Sequence, residues 1–222
     1  MLIGGAQVAI SLLTLGPACG CAAARAERPE GFVRLADLAP GVQQDMRYAG
    51  ANNFIGRPLP GYGAPRCWLR REAAEALAAA QKDAEKIGLR LVVYDCYRPQ
   101  RATRAFIEWA QDGADQTQKA EYYPHIDKRA LFERGYIAKN SAHSTGVAVD
   151  LAFAGLDFGA HFDLFDDISA TRSPAISATA RQNRERLVAL MRAHGFANFD
   201  QEWWHFTLEG VKDAAPCDFE IE

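Results

Sequence analysis

The stretch "NSAHSTGVAVDLAF", residues 140–153, places a histidine among small polar residues and an aspartate seven positions later. Apolar residues alternate with small ones and with Asp150, which predicts a strand over 147–153 that carries one charge. A buried carboxylate is unfavourable unless it is paired or binds a metal. In a fully extended chain His143 and Asp150 would lie about 23 Å apart, so a shared ion requires a turn, which Gly146 permits. This stretch alone leaves a metal site and a structural ion pair equally open.

The composition predicts one globular domain. The chain has 222 residues, of which 49% are hydrophobic, and this is enough for one sizeable core. The formal net charge is −3, so no basic surface typical of a nucleic-acid partner is expected. The sequence contains no run of eighteen apolar residues, so we expect no membrane-spanning helix.

The N-terminal segment has the pattern of an export signal. "VAISLLTLGPACGCAAARA" (8–26) combines an apolar core with a small-residue exit that ends in an A-x-A pattern. This predicts a signal peptide over 1–26 and a periplasmic or otherwise exported protein. A lipid anchor on Cys19 or Cys21 is an alternative, although neither has a leucine three positions upstream. A cytoplasmic protein with an N-terminal tail is the other alternative.

Periodicity and breaker residues predict a mixed order of elements. Residues 27–68 are rich in Gly and Pro and are typical of loops and edge strands. Further along, we predict helices at 70–86, about 101–111, near 127–134 and 178–194, and strands at 89–95, 147–153 and 202–208. Because strands and helices do not alternate regularly, this order favours an α+β fold over a doubly wound sheet.

A second informative stretch is "DQEWWHF" (200–206), where Glu202 precedes His205 by three positions. Taken alone, His205 is typical of a core histidine between aromatic residues. Taken with His143 and Asp150, it completes two imidazoles and one carboxylate, which can hold Zn²⁺ and leave a fourth position for water. Glu202 would then be a carboxylate outside the ligand set that can take the proton from that water.

A third stretch, "YDCYRPQRA" (94–102), places Arg98 at the end of a predicted strand. A surface arginine in a loop is the ordinary interpretation of this pattern. The functional interpretation is a permanently charged donor that faces negative charge developing on a carbonyl oxygen.

Together these motifs resemble the D-alanyl-D-alanine dipeptidases of the VanX type, which are zinc metallopeptidases. "DMRYAGANNFIGRPLPGY" (45–62) is similar to one family motif, and 94–102 is similar to the arginine motif. Residues 141–150 contain the pattern Ser-x-His-x-x-Gly-x-Ala-x-Asp, and the stretch 183–206 carries the Glu-x-x-His ending. Four motifs in the family's order are far more specific than any one of them.

The resemblance implies a role for each matching residue. One zinc ion per chain would be held by His143, Asp150 and His205. Glu202 would be the general base that activates a zinc-bound water and then the proton donor, and Arg98 would stabilise the oxyanion.

The resemblance also implies the fold, the substrate and the domain. The family fold is a single α+β domain with a small antiparallel sheet flanked by helices, shared with D,D-peptidases and hedgehog domains. The catalytic domain would span 27–222, with Ser141 and Tyr48 lining the pocket of a small dipeptide, D-Ala-D-Ala or a close relative. An exported enzyme of this kind would turn over dipeptides released from peptidoglycan.

Two other functions compete with this one. A D,D-carboxypeptidase on the same fold would act on longer muropeptides, although the stretches at 45–62 and 122–136 favour the smaller substrate. A non-catalytic hedgehog-like zinc-binding module would need neither Glu202 nor Arg98, so the presence of both argues against it.

The cysteines predict a disulfide if the protein is exported. After cleavage at 26 the chain keeps Cys67, Cys96 and Cys217. A helix leading into a returning strand would bring Cys67 and Cys96 together, and an oxidising compartment would then join them. The chain-entropy model values such a bridge at roughly 3.5 kcal/mol, and it would brace the turn that presents Arg98. Three buried thiols, or a pairing that involves Cys217, are the alternatives.

Overall fold

The computed structural model describes residue 1 and residues 27–222. The predicted signal peptide and its two cysteines lie outside the described residues. Within the described part of the chain, no helix is both long enough and apolar enough to cross a membrane.

The described residues contain five α-helices and seven β-strands. The helices are α1 (Leu35–Leu38), α2 (Arg71–Lys86), α3 (Gln100–Gln111), α4 (Lys119–Tyr122) and α5 (Ala178–Ala193). The strands are β1 (Phe32–Arg34), β2 (Gln43–Gln44), β3 (Trp68–Arg70), β4 (Leu91–Asp95), β5 (Ala148–Phe153), β6 (Phe196–Asn198) and β7 (His205–Leu208).

The described strands form two sheets. The larger has the order β2-β4-β5-β7-β6, and the smaller pairs β1 with β3. All neighbours are antiparallel except β2 and β4, which run parallel at one edge. Helix α5 packs against β5 and contacts α2. The fold is therefore α+β with a small, largely antiparallel sheet flanked by helices, as the sequence predicts.

The register of the central strand β5 positions the site. Every residue of β5 is buried, because the strand is central in the larger sheet and α5 packs against it. Asp150 pairs with Asp95 of β4 on one side and with His205 of β7 on the other. Residues directly opposite each other in a sheet point to the same face, so three polar side chains form one row across the sheet.

Gly146 makes the turn that the sequence requires between His143 and Asp150. A short 3₁₀ turn, Ala142–Thr145, carries the histidine, and Gly146 follows in the left-handed conformation at φ 78°. Its amide N–H donates to the carbonyl of His143. The chain then enters β5, so the histidine and the aspartate meet although seven positions separate them.

Two predicted elements differ from the structure. The helix expected near 127–134 is reduced to a 3₁₀ turn, Lys128–Ala130, because the buried Lys128 ammonium donates to the carbonyls of Asp112 and Asp115. The strand expected from 202 begins at His205, because residues 202–204 form a turn in which Trp203 N–H donates to the carbonyl of Ser169.

The predicted disulfide is confirmed. Cys67 and Cys96 are bonded to each other, and among the described residues Cys217 is free and partly exposed. The bridge joins the residue before β3 to the residue after β4.

Candidate active site

Three side chains converge at the centre of the larger sheet. His143 Nε2 lies 3.2 Å from Asp150 Oδ1 and 3.1 Å from His205 Nδ1. His205 Nδ1 lies 2.9 Å from the same carboxylate oxygen. His143 and Asp150 are buried, and His205 is partly exposed. The row across β5 and β7 and the Gly146 turn therefore bring the three predicted metal ligands into one group.

The donor set fits a zinc ion. Ligand atoms about 2.0–2.1 Å from a tetrahedral zinc lie about 3.3 Å from one another. The three observed separations of 2.9–3.2 Å are close to that value. Two imidazole nitrogens and one carboxylate oxygen also match a three-ligand catalytic site, which leaves a fourth position open.

The outer nitrogens of both imidazoles have partners of their own. His143 Nδ1 lies 2.7 Å from the carbonyl of Cys96, and His205 Nε2 lies 3.3 Å from Thr207 Oγ1. Such outer hydrogen bonds orient ligating histidines and select their tautomer. The two rings are therefore held in place without the ion.

The charges of the cluster favour an ionised carboxylate. Burial alone would raise the pKa of Asp150, but the positive charge of His143 and the hydrogen bonds of both imidazoles hold this pKa well below its usual range. Burial lowers the pKa of His205, yet its hydrogen bond and ion pair with Asp150 leave it raised. Asp150 is therefore the anionic centre to which a cation is attracted.

Glu202 is a carboxylate in the same cavity that does not belong to the ligand group. It lies in the turn before β7, where its N–H donates to the carbonyl of Phe199. Burial is the main cause that raises the pKa of Glu202 to about 7, and the negative charge of Asp150 adds to it. A carboxyl group with a pKa near neutrality can both accept and return a proton, as a general base requires.

Arg98 is fixed beside the cluster by a buried aspartate. Its Nε and Nη2 lie 2.9 and 2.8 Å from Asp95 Oδ2, and Nη2 lies 3.8 Å from Asp150 Oδ2. Its guanidinium carbon lies over the rings of Tyr48 and Phe106, 5.1 and 4.7 Å from their centroids. The guanidinium is therefore held in one orientation at the wall of the cavity.

Ser141 and Tyr48 also line this cavity. The Ser141 hydroxyl accepts a hydrogen bond from the N–H of His143 and caps the 3₁₀ turn. The Tyr48 hydroxyl donates to Asp163 Oδ2 at 2.9 Å, and both residues are buried.

Asp163 is a cavity residue that the sequence does not single out. The segment 156–163 is typical of a short connection, and the neighbouring Asp166 and Asp167 look much the same in the sequence. Yet Asp163 is buried and faces the cavity, and its backbone is left-handed at φ 65°. Burial, and then the negative charge of Asp150, raise the pKa of Asp163 well above its usual range. No local signal identifies it, because its environment comes from segments distant in the chain.

One cavity of about 200 Å³ brings the predicted residues together. All seven line it: His143, Asp150, His205, Glu202, Arg98, Ser141 and Tyr48. Its volume lies below the range of drug-sized ligand pockets, which is about 300–1,000 Å³. The cavity therefore suits a small polar molecule, while the roles of the individual residues remain predictions.

Comparison with known proteins places the chain in a family. The family model described as D-Ala-D-Ala dipeptidase, within the M15 peptidases, matches residues 28–218. The chain belongs to this family. It is therefore an enzyme of the zinc metallopeptidase class, which confirms that prediction.

Named relatives are similar over most of the chain. The D-alanyl-D-alanine dipeptidase of Enterococcus faecium is 38% identical over 184 residues, covering 80% of this enzyme and 91% of that protein. The one of Streptomyces coelicolor is 39% identical with the same coverage. Among solved structures, the LdcB LD-carboxypeptidase aligns with 85% of this enzyme and 72% of that chain, with a TM-score of 0.48 and 18% identity.

Proposed function

We propose that the enzyme hydrolyses D-alanyl-D-alanine or a closely related dipeptide, with one zinc ion held by His143, Asp150 and His205. The observation that carries the proposal is Glu202, a carboxylate outside the ligand group but inside the same cavity, with a pKa near neutrality. Its family relatives, which are named D-alanyl-D-alanine dipeptidases, support the choice of substrate.

The proton in this reaction is moved by Glu202. A zinc ion in the site supplies Lewis acidity toward water and the peptide carbonyl. The Glu202 carboxylate accepts a proton from the attacking water as the water oxygen bonds to the carbonyl carbon. Glu202 then returns this proton to the leaving nitrogen as the C–N bond breaks, and two amino acids are released.

Arg98 stabilises the negative charge that develops on the carbonyl oxygen. Its guanidinium is already oriented by Asp95 and by the rings beneath it, so little reorganisation is needed when the charge develops. Asp95 is fully buried and pairs with the guanidinium. Arg98 therefore stays in the cavity wall rather than turning toward solvent.

Asp163 favours a substrate with a free amino terminus. It is a buried carboxyl group at the cavity wall with Tyr48 as its hydrogen-bond donor. A substrate ammonium beside it would offset the burial that disfavours its ionised form. An N-acylated peptide has no such charge and needs more room, so the dipeptide is favoured over a longer muropeptide.

One assay separates these alternatives. Purified enzyme is given D,D, L,D and L,L dipeptides and N-acetyl-D-Ala-D-Ala, each with and without a chelator. We expect chelator-sensitive hydrolysis of D-Ala-D-Ala and little hydrolysis of the acetylated peptide. Preferential cleavage of the acetylated peptide would identify a D,D-carboxypeptidase, and no cleavage of any peptide would identify a non-catalytic module.

We further propose that residues 1–26 are a signal peptide, that 27–222 is the mature catalytic domain, and that the enzyme turns over peptidoglycan dipeptides outside the cytoplasm. The Cys67–Cys96 disulfide supports export, because structural disulfides are typical of oxidising compartments. The test expresses the full chain in a Gram-negative host and sequences the N-terminus of the periplasmic product. A start at Glu27 supports the proposal, and an uncleaved cytoplasmic product or a lipidated Cys19 or Cys21 contradicts it.

A further inference from the structure

The Cys67–Cys96 disulfide joins the smaller sheet to the turn that supports the metal ligands. On one side, Cys67 N–H donates to Gln44 Oε1 at 2.8 Å, and its carbonyl accepts from Leu35 N–H at 3.0 Å. On the other side, Cys96 directly follows β4 and is fully buried. The bridge therefore ties the turn after β4 to the start of β3, where hydrogen bonds with Gln44 and Leu35 hold Cys67 in position.

The turn at 95–98 contacts His143 at three points. The carbonyl of Cys96 lies 2.7 Å from His143 Nδ1, and Asp95 Oδ2 lies 3.4 Å from the same nitrogen. Arg98 N–H donates to the carbonyl of His143 at 3.2 Å. Both the ring and the backbone of this histidine therefore rest on the segment that the disulfide holds.

The contact with Cys96 decides the tautomer of His143. A carbonyl oxygen can only accept, so Nδ1 must carry the proton. In the neutral ring, the form that binds a metal, Nε2 then keeps its lone pair, and this is the atom that faces Asp150 Oδ1 and His205 Nδ1. The position of one main-chain oxygen therefore sets both the protonation and the rotation of a predicted ligand.

We propose that the Cys67–Cys96 disulfide is a positioning element of the metal site, which holds the Cys96 carbonyl where it orients His143. The inference rests on the proposed function, because it takes His143 as a ligand. Loss of an outer partner of a ligating histidine typically weakens metal affinity about 10–100-fold. We expect a loss in that range when the bridge is removed from the otherwise folded enzyme.

The experiment measures zinc affinity rather than activity. Wild type and Cys67→Ala/Cys96→Val, which replaces both cysteines with apolar residues, are prepared metal-free from residues 27–222. Zinc chloride is titrated against a fluorescent zinc indicator as competitor, at a temperature where circular dichroism shows both proteins folded. If the double variant does not fold, Cys67→Ser, which breaks the bond and keeps the Cys96 thiol, takes its place.

Two control variants separate positioning from general effects. Cys217→Ser removes a thiol that is not in the bridge. Met191→Ala opens a buried site on α5, a helix that contributes no residue to the cavity, and lowers global stability. Both should bind zinc as tightly as wild type.

The outcomes are distinct. A 10–100-fold weaker affinity in the bridge variant alone supports the inference. An affinity within twofold of wild type overturns it and leaves the proposed function intact, and an equal loss in Met191→Ala overturns it as an effect of stability. A wild-type chain that fails to bind zinc overturns the proposed function and this inference with it.

Discussion

Asp150 and Glu202 show how one cavity gives two carboxylates different tasks. Asp150 lies between two imidazoles, which hold its pKa low, whereas at Glu202 burial outweighs the attraction of His205 and raises the pKa. A carboxylate that is always ionised suits a cation, and one that titrates near neutrality suits proton transfer. The different roles of Asp150 and Glu202 therefore follow from their surroundings rather than from their residue types.

This division predicts that Glu202→Gln abolishes turnover and leaves the metal in place. The amide keeps the size of the side chain but cannot accept the proton of the attacking water. Zinc content measured after gel filtration should remain about one per chain, while kcat for D-Ala-D-Ala falls below detection. A variant that loses its zinc would show that Glu202 is a ligand.

The pKa of Glu202 also predicts a pH dependence of stability in the metal-free enzyme. Because folding raises this pKa from 4.5 to about 7, the protonated group is compatible with the fold, and stability is lost as pH rises through that window. Glu202→Gln stays neutral, so it should gain stability over wild type between pH 4.5 and 7. The gain is at most about 3 kcal/mol, and less because the side chain is partly exposed.

Urea unfolding of both chelated proteins at pH 4.5, 6 and 7.5 measures this difference. Titrating groups that do not interact with Glu202 are shared by the two proteins and cancel. A constant difference across the three pH values would contradict the raised pKa.

At Asp163 we expect an effect on substrate binding more than on chemistry. Asp163→Asn mimics the neutral acid and removes the charge that a substrate ammonium would pair with. We expect KM for D-Ala-D-Ala to rise about 10–100-fold, since a hydrogen bond to a charged group contributes about 1.5–3 kcal/mol. The control is Asp157→Asn, an exposed acid of the same loop outside the cavity, which should leave KM unchanged. A loss in kcat alone would contradict the binding role.

At the scale of elements, the sequence predicts the helices and strands whose determinants lie within their own residues. Helix α2 follows a stripe of small apolar residues and ends before Gly88, and α5 begins at the capping hydroxyl of Ser177. The strand around Asp150 is equally visible from its alternation. The turn at 202–204 is not visible, because a hydrogen bond from Trp203 to the distant Ser169 fixes it. The strand β6 pairs with the nearby β7, but with three residues it is too short to show an alternating pattern.

The same distinction applies to the site. The ligands, Glu202 and Arg98 follow motif spacings, so the sequence predicts their association. Asp95 and Asp163 acquire their environment from Tyr62 and Tyr48, which lie 33 and 115 positions away. Contacts of that separation leave no periodic or local signal in a single sequence.

The Gly146 turn gives a prediction about an element. A Cβ at this position would lie 2.3 Å from Phe32 Cε1, and φ is 78°. Gly155 has nearly the same φ, 77°, but a Cβ there would have no atom within 4 Å. Gly155→Ala therefore measures the backbone strain without a steric clash. We expect Gly155→Ala to lose about 1 kcal/mol of unfolding free energy and Gly146→Ala roughly 2–4 kcal/mol. Urea unfolding of the metal-free proteins measures both, and equal losses would show that Phe32 moves aside freely.

For the whole molecule, metal binding and folding are one equilibrium. The three predicted ligands come from a 3₁₀ turn and two strands, so they lie together in the folded chain, whereas unfolding separates them. An ion that binds the folded state alone raises its stability with the logarithm of the ion's concentration. The stability of the whole protein therefore measures metal binding at this site.

We accordingly expect the unfolding temperature of the chelated enzyme to rise on addition of zinc. At a free zinc concentration about 100 times Kd, zinc binding raises the unfolding free energy by about 2.7 kcal/mol. For a domain of this size that is a rise of about 5–11 °C. Magnesium, which prefers oxygen ligands in an octahedral arrangement, should give almost no shift at the same concentration.

His143→Ala removes one ligand and should abolish the rise in unfolding temperature on addition of zinc. His125→Ala changes an exposed histidine outside the cavity and should keep that rise. A rise of equal size in His143→Ala would place the stabilising ion elsewhere and remove the basis for a zinc site at the centre of the sheet.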